Sequence, residues 1–289
     1  MRKLMIVVLC GMTGLAWGQQ DAGPHAGHGG HSRGAPEISA KTWSGHPQLV
    51  GAGGADNGRG GKAFRLRGIA AEQVRVVAPD GGERAFPVEN GMARIEAVSP
   101  MVGNYHWVIA REDREGLVNV ATTAWFVGNP GPSPTRLLAR SFNELEIVPE
   151  PLPREHGSYR ESEKWRFAIR FHGQALAGQK LLLETENGSR INFETDAQGF
   201  ATVLFPRDFS NALEGGDHGR PKAAFVLSTE HEDSGRHYAT SFNLNYSPDG
   251  DRGRSVAWGA FFGLAGMVCA VPLLRRRRSD EAANGGESC

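Results

Sequence analysis

Hydrophobic positions in the middle of the chain alternate with polar ones in short runs, and this pattern predicts strands rather than helices. Residues 164–171 are an example, because every second side chain there is aromatic or aliphatic. Turn sequences such as Glu89-Asn90-Gly91 separate the runs and are typical of hairpins. The pattern predicts an all-β fold with two tandem antiparallel β-sandwiches, over residues 62–128 and 141–247, joined by a Pro- and Gly-rich linker at 129–140.

The two ends of the chain are hydrophobic without alternation. The N-terminus has two basic residues, a short apolar run and small residues before Gln19, which predicts a signal peptide over residues 1–18. Residues 255–274 carry no charge and are followed by four arginines, which predicts one transmembrane helix with a cytoplasmic tail at 275–289. The expected location is therefore the inner (cytoplasmic) membrane, with a single crossing and a periplasmic or extracellular ectodomain.

The predicted membrane helix and the segments beside the sandwiches suggest further organisation. Gly259 and Gly263 form a pair of small residues four apart, which would let two helices approach in a homodimer. Residues 248–254 form a juxtamembrane linker. Residues 19–61 are rich in Gly and His with little apolar periodicity, so we expect a flexible arm there.

Histidines in the arm are candidate metal ligands. His25, His28 and His31 are spaced three apart among glycines. Neutral imidazole is a common ligand for Zn, Cu and Ni, and His-rich tracts are often interpreted as metal-binding on composition. The alternative is a solvated low-complexity tail.

A second group of candidate ligands lies between two predicted strands. His231 and His237 flank two carboxylates, Glu232 and Asp233, in one loop. Loops at strand ends often carry function, although a solvated hairpin tip is the simpler alternative. Elsewhere, alternation places His106 on the face opposite Trp107, which predicts an exposed or edge histidine.

Composition excludes several function classes. Lys+Arg and Asp+Glu are equal at 32 each, so no overall field favours nucleic acid. The three cysteines are Cys10, Cys269 and Cys289, so the sandwiches hold no disulfide, thiolate metal site or Cys nucleophile. Neither predicted sandwich contains a Gly-x-Ser-x-Gly elbow or a phosphate-binding glycine loop before a helix. We therefore expect a protein that is not an enzyme.

Four pieces of the second predicted sandwich carry a resemblance to a known family. They are Leu145-Glu146-Ile147-Val148-Pro149, Phe167-Ala168-Ile169-Arg170-Phe171, His172-Gly173-Gln174-Ala175-Leu176-Ala177-Gly178 and Thr195-Asp196-Ala197-Gln198-Gly199-Phe200-Ala201. With these pieces, residues 145–244 resemble the periplasmic domain family associated with nickel and cobalt uptake systems, whose members are transthyretin-like or Ig-like sandwiches. Ala175 stands where the family's loop usually has proline.

Together, the histidine arm and this resemblance favour one functional hypothesis over another. The first is a membrane-anchored periplasmic accessory protein for divalent transition-metal binding or uptake, which would work with a metal-transporter permease. Ni, Co, Cu or Zn would be the bound ion, and no other cofactor is expected. The alternative is a non-enzymatic cell-surface structural or interaction module that binds a protein or glycan partner.

Overall fold

The computed structural model describes residues 43–52, 61–96, 102–128, 130–154, 158–210, 221–250, 259–268 and 270. The regular structure of these residues is mostly β-strand, which confirms the predicted all-β class. The elements are β1 (Gln48–Ala52), β2 (Lys62–Arg67), β3 (Gln73–Val77), β4 (Glu83–Glu89), β5 (Met92–Ile95), β6 (Tyr105–Arg114), β7 (Leu117–Phe126), α1 (Thr135–Ala139), β8 (Leu145–Glu150), β9 (Tyr159–Arg160), β10 (Lys164–Phe171), β11 (Gln174–Ala175), β12 (Lys180–Thr185), β13 (Arg190–Glu194), β14 (Phe200–Leu204), β15 (Ala223–Asp233) and β16 (Arg236–Ser247).

The predicted hairpin turn between β4 and β5 is present. Asn90 and Gly91 have φ values of 52° and 71°, the left-handed pair that a tight two-residue hairpin requires. Asparagine tolerates this conformation and glycine adopts it without steric cost. The local sequence therefore fixes the register of this hairpin, in which Glu89 pairs with Met92.

Strands β8–β16, the second lobe, form a β-sandwich. One sheet contains β8, β10, β11 and β14, and the facing sheet contains β12, β13, β15 and β16. The core between them is rich in aromatic rings, and Phe167, Phe225 and Phe242 are each fully buried. Such rings supply most of the apolar burial in a core without disulfides. This arrangement agrees with the predicted sandwich class, and the domain bounds 141–247 stay a prediction.

Strands β1–β7, the first lobe, are joined to the second lobe by direct strand pairing. Strand β16 pairs in parallel with β7, from His237 opposite Leu117 to Asn243 opposite Thr123. One 12-stranded sheet therefore runs through both lobes. Eleven of its strands follow the order β1-β2-β5-β4-β3-β6-β7-β16-β15-β12-β13, and the twelfth, β9, pairs with β16 beside this path. The pattern of residues predicts two tandem sandwiches, whereas the structure joins them through a shared sheet.

Because of this union, both faces of β6 are buried. Trp107 and Ile109 point into the large core that continues through the second lobe. Val108 and Ala110 point the other way, into a smaller core within the first lobe. A strand that is buried on both faces loses the alternation of apolar and polar residues expected for one solvated face.

The N-terminal part of the described chain also differs from expectation. Strand β1 lies within 19–61, the range predicted to be a flexible arm. The Asn243 side chain holds β1 in place, because its Oδ1 accepts from the Leu49 N–H and its Nδ2 donates to the Leu49 carbonyl, both at 2.9 Å. Nearby, the Ser44 hydroxyl donates to buried Glu184 at 2.6 Å. Polar contacts of this kind leave no hydrophobic period in the sequence.

The predicted linker at 129–140 contains the short helix α1. Leu137 of this helix is 2% exposed and belongs to the large core. The segment between the lobes is therefore packed onto the sandwich.

The predicted membrane-spanning segment is corrected by the structure. Among the described residues, none of the helices is both long and apolar enough to cross a bilayer. The expected inner-membrane location with a single crossing is therefore wrong for the part of the chain that is described. The remainder of 255–274 and the tail 275–289 lie outside it, apart from residue 270. The homodimer through Gly259 and Gly263 stays a prediction.

Replacing Phe242 with alanine is expected to destabilise both lobes together. The Phe242 ring stacks on Trp107 of the first lobe at 5.5 Å and lies 6.0 Å from Phe167 of the second. Removing a buried aromatic ring costs about 3–5 kcal/mol. Urea unfolding followed by ¹⁹F-tryptophan signals of Trp107 and Trp165 should show both signals moving to lower urea in one transition.

The matched control for this experiment is Leu204→Ala, since Leu204 is 44% exposed on β14 and its truncation should change stability little. If only the Trp165 signal of Phe242→Ala moved to lower urea, while the Trp107 signal kept its wild-type midpoint, the result would contradict a shared core.

Candidate interlobe binding cleft

The predicted metal ligands of the arm are not located by the structure. His25, His28 and His31 lie outside the described residues, and metal binding by them stays a prediction. Signal-peptide residues 1–18 also lie outside the described part.

The structure places the second predicted ligand pair on the hairpin of β15 and β16. His231 is opposite Tyr238, and His237 is opposite Glu232. Because neighbouring positions in a strand point to opposite faces, His231 and His237 are on different faces of the hairpin. The His237 ring nitrogens lie 3.5 Å from a Glu230 oxygen and 3.6 Å from a Glu232 oxygen.

On the other face, the His231 ring packs 4.6 Å from the Phe171 ring. The described residues contain no group of three or more His, Cys, Asp or Glu side chains that could hold a metal ion. The structure therefore does not bring His231 and His237 together as one ligand set.

His106 is buried, against the expectation of an exposed or edge histidine. Its side chain is 4% exposed and its ring lies 5.5 Å from the Trp125 ring, directly across the strand pair. Its Nδ1 lies 3.3 Å from the Asn104 carbonyl oxygen. The alternation correctly places His106 on the face of β6 opposite Trp107, but that face is covered by the smaller core and not by solvent.

A candidate site lies in a cleft between the two lobes, with a volume of about 670 Å³. Clefts where domains meet are common positions for ligand binding. Strands β3 and β6 form one wall, and the loop before β8 with the turn after β10 forms the other. The lining residues are Gln73, Arg75, Ile109, Arg111, Ser141, Phe142, Asn143, Glu144 and His172.

An ion-pair network crosses one side of this cleft. The Arg111 guanidinium donates two hydrogen bonds to the Glu144 carboxylate, one of them at 2.9 Å, and a third to Asp113 at 2.8 Å. Asp113 also accepts from Arg236 of β16 at 2.6 Å. The hydrogen bond from Arg111 lowers the pKa of the Glu144 carboxyl, while burial opposes this effect. Glu144 is therefore an anion at neutral pH.

A second set of contacts fixes the aromatic wall of the cleft. The Arg75 side chain donates to the Phe142 carbonyl at 3.0 Å, and its guanidinium lies 5.8 Å from the Phe142 ring. The Arg140 guanidinium lies 4.8 Å from the same ring and pairs with Glu83 of the first lobe at 2.6 Å. Phe142 is thus positioned by a cation of the first lobe and a cation of the linker.

Asn143 contributes an unusual amide to the cleft wall. Its side chain is 9% exposed, and within the described residues neither amide atom has a hydrogen-bond partner. A buried polar group without a partner costs about 1–3 kcal/mol. Such groups are rare in folded proteins and are often completed by an ordered water or a ligand.

The sequence contains little signal for this site. Arg111 and Glu144 are 33 residues apart and stand among ordinary surface charges in the sequence. One available signal was Arg111 itself, a cation that follows six consecutive buried positions of β6. Ser141–Glu144 fall in the loop between the linker and the second sandwich, where no pattern distinguishes a binding wall from a connection.

No protein-family model matches this chain. No curated protein matches it either. The resemblance of residues 145–244 to the nickel- and cobalt-associated family therefore stays a prediction.

Among solved structures, similar chains come from studies of a 1.5-MDa bacterial ice-binding adhesin retained at the host cell surface and of a Ca²⁺-stabilised ice-binding adhesin of an Antarctic bacterium. Their identities are 13% and 12%, each with a TM-score of 0.25 over 71% of this chain. The chain spans 65% and 49% of those two chains, less than two thirds of each. A two-domain fibronectin type-III segment of chicken tenascin is 9% identical, with a TM-score of 0.21 over 68% of this chain and 98% of that one.

Burial of His106 predicts a pH dependence of stability. Burial lowers the pKa of the His106 imidazole, and the Asn104 hydrogen bond and the Asp80 charge offset this effect in part. As the pH falls below about 6.5, the unfolded chain therefore binds a proton that the folded chain resists. The stability due to neutral His106 is complete above that pH and is lost as the pH falls toward the folded-state pKa.

Urea unfolding at about pH 7.5 and about pH 5.5 tests this dependence around the ordinary histidine pKa. The loss of unfolding free energy on acidification should be smaller in His106→Gln than in the wild type. Leu204→Gln, an exposed substitution, should keep the wild-type dependence. An identical loss in wild type and His106→Gln would contradict the prediction.

Proposed function

We propose that this protein is a non-enzymatic interaction module that binds a protein or glycan partner in the interlobe cleft. The observation that carries the proposal is the composition of the cleft, in which hydrogen-bonding side chains from both lobes surround one fixed aromatic ring. The signal-peptide pattern at 1–18 predicts that the module acts after export.

The charges of the cleft favour binding over chemistry. Arg111 and Glu144 neutralise each other in a bidentate ion pair, and Arg75 donates a hydrogen bond to the Phe142 carbonyl. A carboxylate whose pKa is lowered by such a pair is a poor proton acceptor near neutral pH. The paired groups instead present oriented donors and acceptors at the cleft surface.

The uncharged groups indicate what kind of partner would fit. Gln73 and Ser141 are exposed at the cleft wall, and the half-buried Phe142 ring lies beside them. Amides, hydroxyls and an aromatic face suit partners that carry many hydroxyl or amide groups, such as a glycan or a peptide segment. This reading is preferred to metal handling because His231 and His237 point to opposite faces of their hairpin.

Site-specific photo-crosslinking in the full chain tests the proposal. A benzophenone amino acid is placed at Ser141 in the cleft and, as the matched control, at Thr202, an exposed position on β14. A partner bound in the cleft should give an adduct from Ser141 and none from Thr202, and its mass and glycosidase sensitivity would distinguish protein from glycan.

A blocking substitution makes this test specific for the cleft. Gln73→Trp fills the opposite wall and should remove at least about 90% of the Ser141 adduct, corresponding to a tenfold loss of affinity. Equal adducts from Ser141 and Thr202, or an adduct unaffected by Gln73→Trp in a folded protein, would refute binding in the cleft.

A further inference from the structure

A second, smaller pocket lies in the first lobe and is independent of the interlobe cleft. Its volume is about 240 Å³, and His106 and Trp125 line it together with apolar side chains. Among these, Val76, Phe86 and Ile95 belong to the smaller core of the first lobe. The pocket is thus an opening into that core.

The size and walls of this pocket fit one aromatic ring. An apolar cavity of about 150 Å³ is already large enough to bind benzene. A volume of about 240 Å³ therefore leaves room for a ring that carries a small substituent. The Trp125 indole supplies an aromatic surface, and it is held by the Phe64 ring, which meets it edge-on at 6.4 Å.

His106 supplies a hydrogen-bond acceptor among the buried residues of this pocket. A carbonyl oxygen can only accept, so the contact of Nδ1 with the Asn104 carbonyl places the ring proton on Nδ1. Nε2 then carries a lone pair, and no hydrogen bond to it is present within the described residues. Burial lowers the pKa of His106, which keeps the ring neutral at pH 7. A ligand must therefore donate to Nε2.

The rim of the pocket carries an excess of negative charge. Asp80, Glu83, Glu96 and Arg84 lie around it. The Glu83 carboxylate pairs with Arg140, whereas the Arg84 guanidinium packs over the Phe86 ring at 4.8 Å. Asp80 and Glu96 form no ion pair within the described part of the chain, so the rim favours a cationic group.

We propose that this pocket binds a small aromatic amine, with its ring against Trp125, a ring-borne O–H or N–H donating to His106 Nε2, and its ammonium group at the Asp80 and Glu96 rim. The three groups follow from three different observations. The cavity volume and its apolar wall select the ring, the histidine tautomer selects a donor, and the unpaired carboxylates select a cation.

A matched series of three probes separates these contributions in the full-length wild-type protein. Tyramine carries all three groups, phenethylamine lacks the hydroxyl, and 3-(4-hydroxyphenyl)propionate replaces the ammonium with a carboxylate. Calorimetric titration should give a Kd for tyramine about tenfold lower than for either analogue, as expected when one hydrogen bond or charge contact is lost. Equal Kd values for the three probes, or no binding of tyramine, would overturn the proposal.

The role of His106 is tested by variant and by spectroscopy. In His106→Leu, tyramine should bind no better than phenethylamine, whereas His231→Leu on the distant hairpin should leave the tyramine Kd unchanged. Should His106→Leu fail to fold, the ¹⁵N signals of the His106 ring in the wild type decide the question. Tyramine should shift the Nε2 signal and phenethylamine should not; identical responses to both probes would remove His106 from the site.

Discussion

The parallel pairing of β7 with β16 is the interaction on which the rest of this structure depends. It covers the edge of the second sandwich, which would otherwise present unpaired backbone groups. It also brings Trp107 of the first lobe against Phe242 of the second, so that a single core crosses the junction. The side chains of Thr122 and Thr123 add hydrogen bonds to the β16 carbonyls at 2.9 and 2.7 Å. Without this pairing the lobes would form neither a shared sheet nor a cleft of fixed shape.

The ion pairs at the junction have a different role from the pairing. The contacts of Arg111 with Glu144 and of Arg140 with Glu83 are partly exposed, and pairs of this kind contribute about 0–1 kcal/mol each. Their free energy is too small to offset the entropy that is lost when the two lobes are fixed relative to each other. They do fix the orientation of the guanidinium donors in the cleft, since a bidentate guanidinium–carboxylate pair has a defined geometry. Backbone pairing and aromatic burial thus determine the relative position of the lobes, and the charged groups determine the chemistry of the cleft.

The sequence predicted most local structure and little of the assembly. Alternation located the strands, and the Asn90-Gly91 pair located a hairpin, because both signals arise within a few residues. The burial of His106 could not be predicted, since alternation assigns a side chain to a face but does not say what covers that face. Strand β1 was missed because an asparagine amide, Asn243, holds it instead of an apolar stripe. The pairing of β7 with β16 was missed because a parallel contact between strands over a hundred residues apart leaves no local pattern. The interlobe cleft depends on that contact and was missed with it.

Native-state hydrogen exchange measures the union of the lobes most directly. If the shared sheet is one cooperative unit, the amides of β7 residues 117–123 and β16 residues 237–243 that donate in the parallel ladder exchange only through global unfolding. Their opening free energy and its dependence on denaturant would then equal those of the β15–β16 amides. The opposite result is that the ladder amides exchange through an opening that has a lower free energy and a smaller denaturant dependence, while the β12–β15 amides stay protected. That result would show that the lobes separate, and it would contradict the account.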